Sequence, residues 1–313
     1  MSLILALVGP TASGKTPLSL LLAGKLNGEI VSADSRQIYK HLDIGTAKPD
    51  KAELRSVPHH FINIRELHEE YNAGVYGEQA RKTIAALQHR KKQPILVGGS
   101  GLYVKSVIDG LFEGPGKDPD LRSQLQERLE RSGLPTMFNE LKKVDPVSAS
   151  RMEEVKSRQV LRALEVYYIT GKPLSRLHEE QRKDPGLSVA QFAIDWDRKT
   201  LYERINARVE AMLQKGLVEE VESLLRSGYD RRLNALNTVG YKEVFQYLDG
   251  TLKYEAMVNL IKQNTRRFAK RQLTWFRADP RIQWLPVTQR DDNFEALADL
   301  IRRRFQESVQ KLH

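Results

Sequence analysis

The stretch Leu3-Ile4-Leu5-Ala6-Leu7-Val8-Gly9-Pro10-Thr11-Ala12-Ser13-Gly14-Lys15-Thr16 decides the fold. Six apolar residues, a length that suits a buried strand, run directly into the pattern G-x-x-x-x-G-K-[ST]. A helical pattern from Lys15 to about Leu26 follows. Strand, glycine-rich turn and helix form the setting in which such a loop cradles phosphate. Gly9 and Gly14, with Pro10, Thr11, Ala12 and Ser13 between them, let the backbone fold around an anion. The loop N–H groups and the helix N-terminus then point at it. Lys15 adds a point charge, and the Thr16 hydroxyl can ligate Mg²⁺. Pro17 stands near the helix start, where a missing N–H costs little.

Further along, Glu29–Ala33 reads as a second strand after the Asn27-Gly28 turn and ends at Asp34. Pro94–Val97 is a third, closed by Gly98-Gly99-Ser100-Gly101. Strands alternating with helices predict an α/β fold with a parallel, P-loop NTPase-like sheet. The pattern changes near Gly110. Gly114-Pro115-Gly116-Lys117-Asp118-Pro119 reads as a linker, and helices are predicted at about 119–133 and 147–170. Asp184-Pro185-Gly186 is the next breaker, and Gln191–Asp195 re-enters the sheet. The expected organisation is a core of 1–115 and 190–313 with a helical insertion domain at 116–189. Helical patterns at 199–226, 253–277 and 294–309 and a strand at Ile282–Leu285 complete the core.

The chain has 313 residues, 50 Lys and Arg against 40 Asp and Glu, and no cysteine. The absence of cysteine excludes disulfides, thiolate zinc or iron–sulfur sites, cysteine nucleophiles and the zinc deaminase route to base chemistry. The seven histidines are scattered apart from His59-His60 and form no metal pattern. No apolar run approaches the ~18 residues of a membrane span. The apolar start has no basic leader, and a cytoplasmic location is expected. The net charge of +10 points to polyanionic partners. Its most local expression is residues 258–281, with seven basic residues and one acidic.

A phosphate loop does not specify a nucleotide. The guanine signature N-K-x-D is absent, and no apolar strand ends in an Asp-Glu pair. Asp34, in Asp34-Ser35-Arg36-Gln37-Ile38-Tyr39, follows a strand and so lies at the sheet edge where ligands bind. A carboxylate there can serve as general base or hold a metal-bound water, or it can simply cap the next helix. Ser100 offers a hydroxyl after the third strand. At this level a small-molecule kinase using ATP and a nucleotide-switched RNA-binding protein both remain open.

Five segments occur in order: Gly9–Thr16, Asp34–Tyr39, Asp43–Pro49, Gly98–Tyr103 and Lys270-Arg271-Gln272-Leu273-Thr274-Trp275-Phe276-Arg277. Together they resemble the tRNA dimethylallyltransferases, or tRNA isopentenyltransferases, over nearly the whole chain. Val155–Val166 resembles the family's arginine-rich helix, and Asn237-Thr238-Val239-Gly240-Tyr241 its V-G-Y segment. The resemblance implies transfer of a dimethylallyl group from its diphosphate to N6 of adenosine-37 in tRNA, with Mg²⁺. It implies Asp34 as base, Ser100 where the family usually has Thr, and Arg208 near the diphosphate. It further implies a monomer that takes the anticodon stem-loop through Asp34, Ser35, Arg36, Gln37, Ser100, Arg122, Ser123, Arg158, Gln159, Arg162, Gly240, Tyr241, Lys270, Arg271 and Arg277. Related enzymes act on free AMP, and the insertion and basic tail favour RNA. Arg266, Arg267, Lys270, Arg271 and Arg277 cluster with Phe268, Trp275 and Phe276 around the expected entrance. Arg151, Arg158 and Arg162 are expected on one helical stripe, with Val160, Leu161, Leu164 and Tyr168 on the apolar face. A solvated basic face is the competing reading of both sets, and Trp275 and Phe276 can equally be core.

Overall fold

The computed structural model describes residues 3–111, 114–116, 118–180, 187–287 and 294–311. The Asp184-Pro185-Gly186 breaker and Lys117 lie outside them. In chain order the elements are β1 (Ile4–Val8), α1 (Lys15–Leu26), β2 (Gly28–Ser32), α2 (Lys51–Ser56), β3 (His59–His60), α3 (Ala73–His89), β4 (Gln93–Gly98) and α4 (Gly101–Ile108). There follow α5 (Pro119–Val144), α6 (Pro146–Ser150), α7 (Ser157–Thr170), α8 (Leu174–Glu180), β5 (Val189–Trp196), α9 (Arg198–Gln214) and α10 (Leu217–Arg226). The last are α11 (Tyr241–Leu248), α12 (Tyr254–Arg277), β6 (Ile282–Val287) and α13 (Phe294–Gln310).

The six strands form one sheet in the order β3-β2-β4-β1-β5-β6, and every pairing is parallel. β1 is buried along its whole length, as a strand covered on both faces must be. Leu5 and Leu7 share a core with Ile95, Phe192 and Ile194 from neighbouring strands and with Leu18, Leu22, Leu201 and Ile301 from helices. Parallel strands carry their C-terminal ends to one edge of the sheet. The turns after β1, β2, β4 and β5 therefore gather there, which is where ligands bind in such folds.

The chain divides into two compact units, 1–110 with 186–313, and 111–185. The second is helical, with its own core of Leu125, Met137, Leu141, Val160, Ala163 and Leu164. Two expected helices are broken. The 147–170 pattern is α6 and α7, with 151–156 outside any helix, so Arg151 does not share a stripe with Arg158 and Arg162. The 199–226 pattern breaks at Gly216, whose φ of +97° a helix cannot hold. Tyr168 is not on the buried face of α7. It is exposed, and its hydroxyl donates to Glu140.

Candidate active site

The turn between β1 and α1 is wound by positive φ at Gly9, Ala12 and Gly14. Its carbonyls are held by the protein. The Lys15 amine folds back onto the carbonyls of Gly9 (3.0 Å) and Pro10 (2.6 Å). Arg204 Nε donates to the Ala12 carbonyl at 3.0 Å, and Trp196 Nε1 to that of Ser13 at 2.9 Å. The N–H groups of Gly14, Lys15 and Thr16, by contrast, take no acceptor among the described residues. The Ser13 hydroxyl is buried without a partner among the described residues. Unpaired donors at a helix N-terminus, with an orphan hydroxyl beside them, are what an incoming anion would satisfy.

The electrostatics agree. Burial pushes the Lys15 amine down to about 7, the neighbouring Arg208 adds to the effect, and Asp34 opposes it. Burial likewise lowers Arg208, again against Asp34. The Arg208 guanidinium makes no hydrogen bond or ion pair among the described residues. Lys15 and Arg208 thus stand near each other and near Asp34, and neither makes an ion pair among the described residues, an arrangement that can take an anion.

Asp34 opens a turn over residues 35–38, so it caps a turn and not a helix. Its Oδ1 accepts the N–H groups of Arg36 (2.8 Å) and Gln37 (3.3 Å). Its Oδ2 accepts no hydrogen bond among the described residues. The capping and chemical readings of Asp34 are therefore compatible, one for each oxygen. Ser100 stands at the start of α4. Its Oγ accepts the Ser35 N–H at 3.0 Å and its N–H donates to the Ala33 carbonyl at 3.1 Å, tying the end of β4 to the Asp34 turn.

Several residues expected to touch RNA have internal partners. Arg36 donates to the carbonyls of Asn234 (2.5 Å), Ala235 (3.4 Å) and Asn237 (3.4 Å). Gln37 donates to those of Thr46 and Ala47, both at 3.2 Å. Tyr241 is 0% exposed and its hydroxyl donates to Glu220 at 2.6 Å, so its ring has no surface to offer a nucleic acid. Gly240 is buried, and its N–H donates to Glu243 at 2.7 Å. Burial and the neighbouring Glu220 push the Tyr241 phenol well up, keeping it a donor. Glu220 also accepts the N–H groups of Asp43 (3.0 Å), Ile44 (2.7 Å) and Gly45 (3.0 Å). One carboxylate thus fixes the loop that follows the Asp34 turn.

Sequence reasoning missed Glu220, Trp196, Arg204 and Gln272 as site-building residues. Buried Gln272 accepts the Thr11 N–H at 2.8 Å and donates to the Gly99 carbonyl at 2.9 Å, joining two site loops to α12. On that helix Lys270 and Arg271 are exposed, and Arg277 pairs with Asp195 at 2.9 Å. Phe276 is core, whereas the adjacent Trp275 is exposed.

In the helical unit, Arg122 pairs with buried Glu165 through two contacts, at 2.8 and 3.2 Å. Arg162 reaches Glu165 at 2.8 Å and the Pro115 carbonyl at 3.2 Å. Ser123, Arg158 and Gln159 are exposed. No group of three or more His, Cys, Asp or Glu able to hold a metal occurs among the described residues. Nor is any described helix long and apolar enough to cross a membrane.

The family model described as IPP transferase matches residues 37–279. A tRNA dimethylallyltransferase of Pelotomaculum thermopropionicum is 45% identical over 304 residues, covering 96% of this chain and 95% of that protein. One from Trichlorobacter lovleyi is 46% identical over 296 residues, covering 94% and 97%. Among solved structures, the tRNA isopentenylpyrophosphate transferase of Bacillus halodurans superposes with a TM-score of 0.72 at 36% identity, covering 100% and 99%. A eukaryotic dimethylallyltransferase, captured acting on tRNA, gives 0.82 at 29% identity, covering 98% of this chain and 80% of its own.

Proposed function

The chain belongs to the IPP transferase family, and on that premise we propose that it transfers the dimethylallyl group of dimethylallyl diphosphate to N6 of adenosine-37 in the anticodon loop of tRNA. The names of its relatives support this chemistry and give none to the kinase or nucleotide-switch alternatives. One observation carries the assignment of roles: Asp34, with a carboxylate oxygen that accepts no hydrogen bond among the described residues, lies near enough to Lys15 and Arg208 to oppose the lowering of both.

The diphosphate takes the unpaired N–H groups of Gly14, Lys15 and Thr16 together with the Lys15 and Arg208 cations. Charge placed at the leaving oxygens lowers the barrier as they become more negative. The adenine amine is a poor nucleophile because its lone pair is delocalised into the ring. As N6 bonds to C1 of the allyl group, the C1–O bond breaks and its electron pair leaves on diphosphate. The proton released from N6 goes to Asp34 Oδ2. The Ser100 hydroxyl keeps the Asp34 turn in register with the end of β4.

The donor set suits Mg²⁺, which takes few protein ligands and shares substrate phosphates. Thr16 would hold the ion, which would supply charge neutralisation at the leaving group. The helical unit, through Arg122, Ser123, Arg158, Gln159 and Arg162, holds the anticodon stem, and Lys270 and Arg271 meet the loop. The enzyme works as a cytoplasmic monomer.

The test is incubation with labelled dimethylallyl diphosphate, Mg²⁺ and either unmodified tRNA or AMP. Label in tRNA alone is expected. Label in AMP alone would reassign the acceptor, and label in neither would remove the transferase reading.

A further inference from the structure

Lysine is ordinarily a surface residue, yet the Lys48 side chain is 2% exposed. Its ammonium has three donors, and all three are taken. They go to the Tyr39 carbonyl at 2.9 Å, to Asp43 Oδ1 at 2.5 Å and to Asn63 Oδ1 at 2.6 Å. Burial lowers the amine, while Asp43, Glu220 and Asp34 oppose it. A charge kept from water is costly unless its partners are well placed, so the three acceptors hold one geometry.

Each acceptor belongs to a different segment. Tyr39 ends the run 34–39 that Asp34 begins, Asp43 opens the loop 43–48, and Asn63 lies in the stretch after β3. Other bonds stitch the same segments. Gln37 donates to the Thr46 and Ala47 carbonyls. The N–H groups of Asn63 and Ile64 donate to the carbonyls of Gln37 (3.2 Å) and Ile38 (2.8 Å). Glu220 grips the loop through three N–H groups. Gly45 lies so close to Tyr241 that a Cβ there would stand 2.4 Å from its Cε2. At its start the run 34–39 is tied to Ser100. At its end it is tied to Lys48.

We infer that Lys48 is a positioning residue for the proposed base: its three hydrogen bonds fix the end of the run 34–39, and with it the direction in which Asp34 presents Oδ2 to the acceptor amine. This deepens the reading of Asp34 as the base and rests on it. Lys48 has almost no surface to offer a substrate, so what it does is done through the residues it holds. A phosphate contact would call for an open cation such as Lys40, whose side chain is 47% exposed. A misplacement of about 1 Å between reacting groups costs about a hundredfold in rate, which makes a buried brace of this kind matter to the chemistry.

The experiment is a double-mutant cycle on the full chain, read as the single-turnover rate of prenyl transfer to tRNA at saturating dimethylallyl diphosphate. Lys48→Met is expected to slow transfer about ten- to a hundredfold with the affinity for dimethylallyl diphosphate unchanged. In an Asp34→Asn background the same substitution should cost almost nothing further. Asn63→Gly removes one acceptor while tolerating the φ of +56° at that position, and should show the same pattern with a smaller fall. If Lys48→Met does not fold, Asn63→Gly carries the cycle alone. Lys40→Met, which removes an open charge nearby, should leave the rate unchanged. Equal fold losses with and without Asp34 would overturn the inference, as would wild-type rates in Lys48→Met or, where that variant does not fold, in Asn63→Gly. Should Asp34→Asn itself transfer at the wild-type rate, the base reading has failed; should it be slow while the losses multiply, only the positioning role has.

Discussion

Gln272 reaches back 261 positions along the chain to accept the N–H of Thr11 at 2.8 Å. The other end of its amide donates to the Gly99 carbonyl, so the phosphate loop and the turn before Ser100 are held by one side chain. Gln272→Ala leaves both backbone groups without that partner. Each unmet group costs about 1–3 kcal/mol, so a loss of about 2–6 kcal/mol is expected in a urea melt. Diphosphate affinity should fall with it. Gln272→Glu tests the geometry further, because a carboxylate still accepts from Thr11 and can no longer donate to Gly99. Unchanged stability in both variants would show that the bridge does not hold the loops.

Asp34 caps its turn through Oδ1, while Oδ2 accepts no hydrogen bond among the described residues, which makes Asn and Ala informative in different ways about the proposed base. Asp34→Asn can keep the cap on Arg36 and Gln37 through its amide oxygen and removes the base. A fall in kcat of about 10²–10⁴ is expected, with affinity for dimethylallyl diphosphate nearly kept. Asp34→Ala loses the cap as well and should also lose thermal stability. If Asp34→Asn turns over at the wild-type rate, the proton leaves N6 by another route.

Lys15 is held near 7 in the folded protein, against 10.5 for an ordinary lysine. Between those values the unfolded chain binds a proton that the folded chain does not. Lys15 therefore makes stability rise with pH across that window, and below about 7 the cost of burying its charge is fully present. Anion binding has the opposite sign, since diphosphate favours the charged amine. The affinity ratio of wild type to Lys15→Met for inorganic diphosphate should be flat below about pH 7 and fall as pH rises above it. Calorimetry in buffers of different ionisation enthalpy should register proton uptake near pH 8. A ratio independent of pH from 6 to 9 would mean that the amine stays protonated throughout.

The sequence pattern was most legible where the determinants are local. The phosphate loop and α1 follow from a continuous motif, and the parallel order of the sheet brings Asp34 and Ser100 to one edge. Gln272, Trp196 and Arg204 were illegible because their carbonyl or N–H partners in the loop lie 261, 183 and 192 positions away. Arg36 reads as a surface cation until the carbonyls of 234–237 are seen around it. Tyr241 reads as a binding aromatic until Glu220 is seen at its hydroxyl. The break between α6 and α7 contains neither Gly nor Pro, so helical periodicity runs across it in the sequence. At Gln272, Trp196, Arg204, Arg36 and Tyr241, tertiary partners, not propensity, decided the outcome.

Glu165 is 1% exposed and holds both Arg122 and Arg162, so the helical unit presents a two-arginine, one-glutamate cluster of net charge +1. Removing Arg162 leaves Glu165 paired with Arg122 alone. Arg162→Ala should cost about 1–3 kcal/mol of stability, less than full loss of a buried pair because one partner remains. If the cluster also faces RNA phosphate, the salt dependence of tRNA binding should flatten by about one phosphate contact. Arg158→Ala provides the contrast, because exposed Arg158 lacks a protein ion pair among the described residues. It should flatten the salt dependence by a similar amount with almost no change in stability. Titrations across a range of salt, beside thermal melts, separate the two effects. A stability loss in Arg162→Ala with an unchanged salt slope would confine the cluster to holding α5 against α7.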